Sequence, residues 1–249
     1  MSEKTVVFRI KRQENPSAKP HWEEFEVPYR EKLNVIICLN EIRRHPVTRD
    51  GRQTTPVAWE CACLEEVCGS CAMIINGKAR PACSALIDEL KWPITLEPMA
   101  KFPVVRDLVV DRSRMFDALK KVRAWVQLDG TWHLGAAPRW DERERFRAYD
   151  FSRCMTCGVC LEVCPQINAR SSFIGAAAIG QVRLFNSHPL GTMQADERLD
   201  ALMDKGGIAE CGNAQNCVEA CPKDISLVDA IGEVNRQMAK HALKKILAG

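Results

Sequence analysis

Eleven of the chain's 13 cysteines fall into three spacing patterns, and thiolates at such spacings are the standard ligands of iron–sulfur clusters. Cys63-x4-Cys68-x2-Cys71, followed by Cys83, has the spacing of a plant-type 2Fe–2S site. Cys154-x2-Cys157-x2-Cys160-x3-Cys164-Pro165 is the bacterial run used for pairs of cubane clusters. Cys211-x5-Cys217-x3-Cys221-Pro222 is a second such run with one ligand absent, and in that register the missing cysteine is Ala214. The spacings predict a chain that carries electrons.

The two cubane runs are read together, because the fourth cysteine of each run ligates the other cluster. Cys154, Cys157 and Cys160 then join Cys221 around a 4Fe–4S cluster. Cys164 joins Cys211 and Cys217 around the other, which has only three thiolates. A cubane corner without a ligand loses its iron readily, so a 3Fe–4S cluster is expected there. A labile 4Fe–4S cluster with water on the open iron, or a recruited ligand, stays open as an alternative. Pro165 and Pro222 end the runs and fix their turns. In the first pattern, Gly69 and Ser70 can turn tightly and aim N–H groups at sulfur, which raises a cluster's potential. A four-cysteine zinc site is the competing reading, but zinc prefers paired C-x2-C knuckles. Cys38 follows the apolar run Val35-Ile36-Ile37 and reads as a buried thiol. Cys61 could compete as a ligand, but spacing from Cys63 fits better, so Cys61 is expected beside the cluster.

The elements that must hold these loops change character along the chain. Val6, Phe8 and Ile10 alternate with Val7, Arg9 and Lys11, the period of a half-buried strand. Glu24 to Val27 continues as a second strand, and Leu33 to Ile42 has helical spacing through Leu33, Ile36 and Ile37. Ala72 to Ile75 is a strand ending in the turn signal Asn76-Gly77, and Ile94 to Leu96 closes the set. This predicts a compact α+β ferredoxin domain with its cluster loop at 61–71. Strand signals fade after about residue 105, where the domain boundary is placed. Beyond it, Arg112 to Val126, Glu197 to Met203 and Leu227 to Leu247 read as helices, and Trp140 to Arg147 as a charged connector or helix face.

The 249 residues suffice for one large domain or two ordinary ones, and 46% hydrophobic content provides a core. A formal charge of +3 points to no nucleic-acid partner. Without a Gly-rich dinucleotide fingerprint or a P-loop, neither flavin nor nucleotide is expected on this chain. The N-terminus MSEKTVVFRIKRQ has no signal-peptide or transit-peptide character. The longest weakly polar run, Phe173 to Gly180, is too short to span a bilayer. A soluble or peripheral chain in a reducing compartment is expected.

The segments CLEEVCGSCAMIINGK, FPVVRDLVVDRSRMF, CMTCGVCLEVCP and NCVEACPKDI together resemble the iron–sulfur subunits of succinate dehydrogenase and fumarate reductase, respiratory complex II, over nearly the whole length. CPQINARSSFIG and QVRLFNSHP are most similar to the menaquinone-linked members of Gram-positive-type bacteria. The resemblance implies an N-terminal β-grasp 2Fe–2S ferredoxin domain, 1–105, and an all-α ferredoxin domain with the 4Fe–4S and 3Fe–4S clusters, 106–249. It implies a flavoprotein partner that oxidises succinate at FAD, on the side of the β-grasp domain. It also implies a membrane-anchor partner, with quinone and with or without haem, on the side of the helical domain, and a peripheral place at the cytoplasmic face of the bacterial membrane. Ubiquinone-linked members carry a Trp after the first Cys-Pro and often a His after the first cysteine of the last motif. Here Gln166-Ile167-Asn168-Ala169 has no Trp and residue 212 is Gly, so menaquinone is expected, with Pro165 as a quinone-side wall. No catalytic residue is expected on this chain. A fumarate reductase working in reverse, a soluble multi-cluster ferredoxin and a structural zinc protein are the alternatives.

Other features have plainer readings. Arg43, Arg44, Arg49 and Arg52 could dock an acidic flavoprotein face, or simply be solvated. His188 could approach a quinone or haem, or be structural. Arg236, Lys240, Lys244 and Lys245 could meet anionic lipid, or belong to an ordinary amphipathic helix. The tryptophans read as core or interface residues.

Overall fold

The computed structural model describes residues 4–127 and 139–248. It divides into two compact units, Met1–Arg112 with Met155–Glu162, and Ser113–Cys154 with Val163–Gly249.

The first unit is built on a five-stranded mixed sheet of order β2-β1-β5-β3-β4. Strands β1 (Thr5–Arg12) and β2 (His21–Pro28) form an antiparallel pair in which Phe8 faces Phe25. Strand β5 (Ile94–Glu97) lies parallel to β1 and antiparallel to β3 (Ala72–Ile75), which pairs through the Asn76-Gly77 turn with β4 (Lys78–Pro81). This is the β-grasp arrangement expected of the N-terminal domain. Val6, Phe8 and Ile10 are fully buried, as their alternation requires. Helix α1 (Val35–Arg44) starts at Asn34, whose side chain accepts from Ile37 N. It buries Val35, Ile36, Cys38, Leu39 and Ile42 in the same core, while Ile37 faces outward.

The inward face of β1 ends on an arginine. Arg12 is buried and donates to Asp107 at 3.0 Å, to Glu23, and to the Thr55 carbonyl at 3.0 Å. Asp107 also accepts from the amides of Gln13 at 3.0 Å and Ala58 at 2.8 Å. A buried charge needs such saturation. Asp107 thus holds the short hairpin of β6 (Val104–Arg106) and β7 (Val109–Val110) to the sheet. That hairpin lies at and beyond the point where sequence signals for strands fade.

Residues 155–162 belong to this unit through definite contacts. Glu162, at the end of helix α4 (Val159–Glu162), accepts from the amides of Ala100 at 3.0 Å and Lys101 at 2.9 Å. A Cβ on Gly158, whose φ is +84°, would meet the Phe102 ring at 3.0 Å.

The second unit is helical: α2 (Ser113–Lys121), α3 (Glu142–Ser152), α5 (Ala176–Ser187), α6 (Ala195–Met203), α7 (Asn216–Glu219) and α8 (Leu227–Ala248). Helix α5 packs against α2, α3, α6 and α8, with Ala176 to Gly180 buried on every side. Gly180 lets α8 approach, since a Cβ there would sit 3.1 Å from Leu227. Helix α2 stops at Lys121, and Arg123 turns the chain with φ +47°, so Val126 lies outside the helix its spacing suggests. Arg198 on α6 is fully buried and makes no ion pair among the described residues. It donates to the carbonyls of Arg123 at 3.0 Å, Trp125 at 2.8 Å and Gly191 at 2.7 Å, and to the Asn186 amide oxygen at 3.2 Å. Among the described residues no helix is long and apolar enough to cross a membrane.

Candidate metal centres

All thirteen cysteines stand as thiols rather than disulfides. The loop before β3 gathers Cys63, Cys68 and Cys71, and Cys83 follows β4. Leu64, Glu66 and Gly69 have φ of +61°, +58° and +71°. Alternating left-handed residues turn successive N–H groups into one concavity, the geometry of an anion nest. The Cys63 sulfur accordingly receives the amides of Glu65, Val67 and Cys68 at 3.5, 3.2 and 3.3 Å. The Ser70 hydroxyl lies 3.1 Å from the Cys68 sulfur. It is the largest cause that draws the Cys68 thiol down to about 6, with the amides of Cys63 and Ser70 adding to it. Cys83 is pushed up to about 11, first by burial and then by its hydrogen bond with Cys71. The loop therefore stabilises negative sulfur at its outer edge and keeps Cys71 and Cys83 in the core.

Two further contacts fix this loop. Arg112 donates to the carbonyls of Gly69 at 2.8 Å and Ser70 at 2.7 Å. Gly69 presses against the second cysteine run, where a Cβ would come within 2.7 Å of Cys157 Cα and 2.8 Å of the Met155 carbonyl. Only glycine fits both the φ and the space. Cys61 is half-buried, and its thiol is raised first by burial and then by Cys68, Cys83 and Cys63. It stands close to the set. Cys38 is fully buried and pushed up to about 12 by desolvation, a core thiol.

The two cubane-type runs share one backbone, offset by 57 positions from Cys154 to Cys211. Thr156 and Gly158 have φ of +50° and +84°, and their counterparts Asn213 and Gln215 have +51° and +64°. Helix α4 starts at Val159 and α7 at Asn216, the same offset. The amide of Leu161 donates to the Gly158 carbonyl, and that of Val218 to the Gln215 carbonyl. After the prolines, Ile167 donates to Cys164 and Asp224 to Cys221. On this backbone Ala214 occupies the place of Cys157.

In the second unit, Cys164, Cys211 and Cys217 line one cleft with an empty volume of about 380 Å³, together with Pro165, Gln166 and Ala214. Burial raises the Cys217 thiol, and Cys164 and Cys211 raise it further, as mutually close thiols must. The Gln166 amide nitrogen would lie 2.4 Å from a Cβ on residue 212, a clash that the end of this flexible side chain can relieve by moving. Among the described residues no group of three or more His, Cys, Asp or Glu closes on a single ion. A cluster asks for less, because its thiolates are shared among several irons rather than crowded about one. Thiol donors, inward N–H groups and the three-cysteine cleft fit iron–sulfur clusters.

The basic residues are engaged inside the chain. Arg44 pairs with Glu41, Arg49 with Glu24 and Glu26, Arg52 with Glu23, and Arg43 lies over the Trp59 ring. On α8, Arg236 pairs with Glu233, Lys244 with Asp196 and Lys245 with Asp200. His188 Nδ1 accepts from the amides of Leu190 and Gly191 at 3.2 and 3.3 Å, a turn-forming role. Sequence reasoning missed Arg112 and Glu162, because neither lies in a cysteine pattern.

An α+β unit with a four-cysteine loop, followed by a helical unit and paired cubane runs, defines a multi-cluster iron–sulfur electron carrier. Residues 7–117 match the 2Fe-2S iron-sulfur cluster binding domain, and residues 150–225 match the 4Fe-4S dicluster domain. The chain is 59% identical to the succinate dehydrogenase iron-sulfur subunit of Bacillus subtilis over 98% of its own length and 97% of the relative's. It is 35% identical to the fumarate reductase iron-sulfur subunit of Mycobacterium tuberculosis, covering 92% of this chain and 90% of that one. Its fold matches a chain of the Mycobacterium smegmatis Sdh1 complex in the apo form with a TM-score of 0.78 at 23% identity, covering 96% and 97% of the two chains. The chain belongs to the family of succinate dehydrogenase and fumarate reductase iron–sulfur subunits.

Proposed function

We propose that this chain is the electron-transfer subunit of a succinate:menaquinone oxidoreductase, relaying electrons from the FAD of a flavoprotein subunit to quinone at a membrane-anchor subunit. Iron–sulfur clusters supply one-electron storage when bound. In this reading Cys63, Cys68, Cys71 and Cys83 hold 2Fe–2S, and Cys154, Cys157, Cys160 and Cys221 hold 4Fe–4S. Cys164, Cys211 and Cys217 hold 3Fe–4S, with Pro165 walling the quinone side. The chain's own residues orient the thiols, aim amides at sulfur and exclude water from Cys71 and Cys83. The observation that carries the reading is the repeated backbone with Ala214 at the vacant ligand place. It supports a division of eleven thiols into four, four and three, which a generic ferredoxin does not require.

Identity of 59% to a succinate dehydrogenase subunit against 35% to a fumarate reductase subunit favours succinate oxidation as the working direction. The subunit is peripheral at the cytoplasmic face of the bacterial membrane, held through the anchor, which carries quinone. The test is purification of this chain from its own membranes, with a redox titration followed by paramagnetic resonance and quinone assayed in the same sample. Three distinct cluster signals, a flavoprotein with FAD and a quinone-bearing membrane protein are expected together. A chain that purifies alone with its clusters is a soluble ferredoxin, and one that carries zinc without sulfide is structural.

A further inference from the structure

Arg112 stands outside every cysteine pattern, yet it reaches into the first cluster loop. Its two terminal nitrogens donate to the carbonyls of Gly69 at 2.8 Å and Ser70 at 2.7 Å, and one also lies 3.5 Å from the Ala72 carbonyl. The carbonyls of Gly69 and Ser70 belong to the peptides between Cys68 and Cys71. The Gly69–Ser70 peptide ends in the amide of Ser70, whose hydroxyl lies 3.1 Å from the Cys68 sulfur. A cation on a peptide oxygen polarises that peptide and strengthens its N–H as a donor. The same peptide pair carries Gly69, the residue packed against Cys157. The Arg112 Nε is buried without a hydrogen-bond partner, so the guanidinium is committed to these carbonyls at a desolvation cost.

We propose that Arg112 sets the reduction potential of the 2Fe–2S centre and holds the Gly69 contact to the second cysteine run, as a positioning residue that acts through the 69–71 peptides. The proposal rests on the assignment of Cys63, Cys68, Cys71 and Cys83 to that centre. Reduction adds negative charge to a cluster. A fixed cation and the N–H donor it strengthens favour the reduced state, so Arg112 raises the potential.

The test is a redox titration of the intact membrane complex carrying Arg112→Gln or Arg112→Lys, read by paramagnetic resonance of each centre. Gln removes the charge. Lys keeps the charge but, as a single ammonium, loses the planar two-carbonyl fork. Arg112→Gln is expected to lower the 2Fe–2S midpoint by an amount equal to about tenfold in the reduction equilibrium, roughly 59 mV for one electron. Arg112→Lys is expected to give a smaller fall, and the 3Fe centre is expected to keep its midpoint. Should Arg112→Gln fail to assemble, Arg112→Lys decides alone. A wild-type 2Fe–2S midpoint in the variant that assembles, or an equal fall at every centre, overturns the proposal. The ligand assignment has its own control: Cys63→Ser must change the line shape of the 2Fe–2S signal. An unchanged line shape there defeats the assignment whatever the Arg112 variants do.

Discussion

Single atoms near sulfur decide much of what these loops do. The Ser70 hydroxyl is 3.1 Å from the Cys68 sulfur and is the largest influence on that thiol. A hydrogen bond to the more negative, reduced state is worth about 1 kcal/mol, roughly 40 mV for one electron. Ser70→Ala should therefore lower the 2Fe–2S midpoint by tens of millivolts while the cluster stays in place, and Ser70→Thr should restore it. A midpoint unmoved by alanine would mean that the hydroxyl points elsewhere in the loaded protein. Ala214 is the other decisive residue. Its backbone already matches that of Cys157, so Ala214→Cys adds a thiol without changing the loop. The expected outcome is a 4Fe–4S cluster in that site and disappearance of the oxidised 3Fe resonance. Persistence of that resonance at full intensity would show the register to be wrong.

At the scale of elements, stability depends on groups that periodicity does not reveal. Arg198 ties residues 123 to 125 to the end of α5 and to Gly191 through four hydrogen bonds from a fully buried side chain. Arg198→Met keeps much of the volume but takes the guanidinium donor away from three carbonyls, of which that of Arg123 keeps the Trp125 amide. A loss of about 3 kcal/mol is expected, read as an earlier midpoint when cluster absorbance is followed through denaturant unfolding. An unchanged midpoint would mean that water replaces the guanidinium without penalty. Strand β1 was legible because one face is buried and its alternation says so, and β3 because an apolar run ends in the Asn76-Gly77 turn signal. Strand β4 was not: Lys78-Ala79-Arg80-Pro81 has no β-branched or aromatic residue and ends in proline, and pairing across the Asn76-Gly77 turn makes it a strand. Helix α5 escaped for the opposite reason, since Ala176 to Gly180 are buried all round and show no polar face. The cysteine runs were legible because their spacing is a local property. Arg112 was not, because its partners lie about forty residues earlier and long-range contacts leave no local pattern.

At the scale of the whole molecule, the proposed ligand sets cross the two cubane runs. The cleft that holds Cys211 and Cys217 is lined by Cys164 from the earlier run, and Cys217 is influenced by Cys164 as well as by Cys211. In a crossed arrangement each run supplies its fourth cysteine to the other cluster. The crossing separates two outcomes that a local arrangement would reverse. Cys164→Ser should damage the 3Fe centre and leave the 4Fe–4S centre of Cys154, Cys157 and Cys160 intact. Cys221→Ser should do the opposite. Paramagnetic resonance of the oxidised and reduced complex distinguishes them, since the 3Fe signal belongs to the oxidised state and the 4Fe–4S signal to the reduced one. Loss of the 4Fe–4S signal in Cys164→Ser, with the 3Fe signal retained, would establish local ligation. The repeat of φ values at Thr156, Gly158, Asn213 and Gln215 would then reflect a shared loop shape without shared ligands.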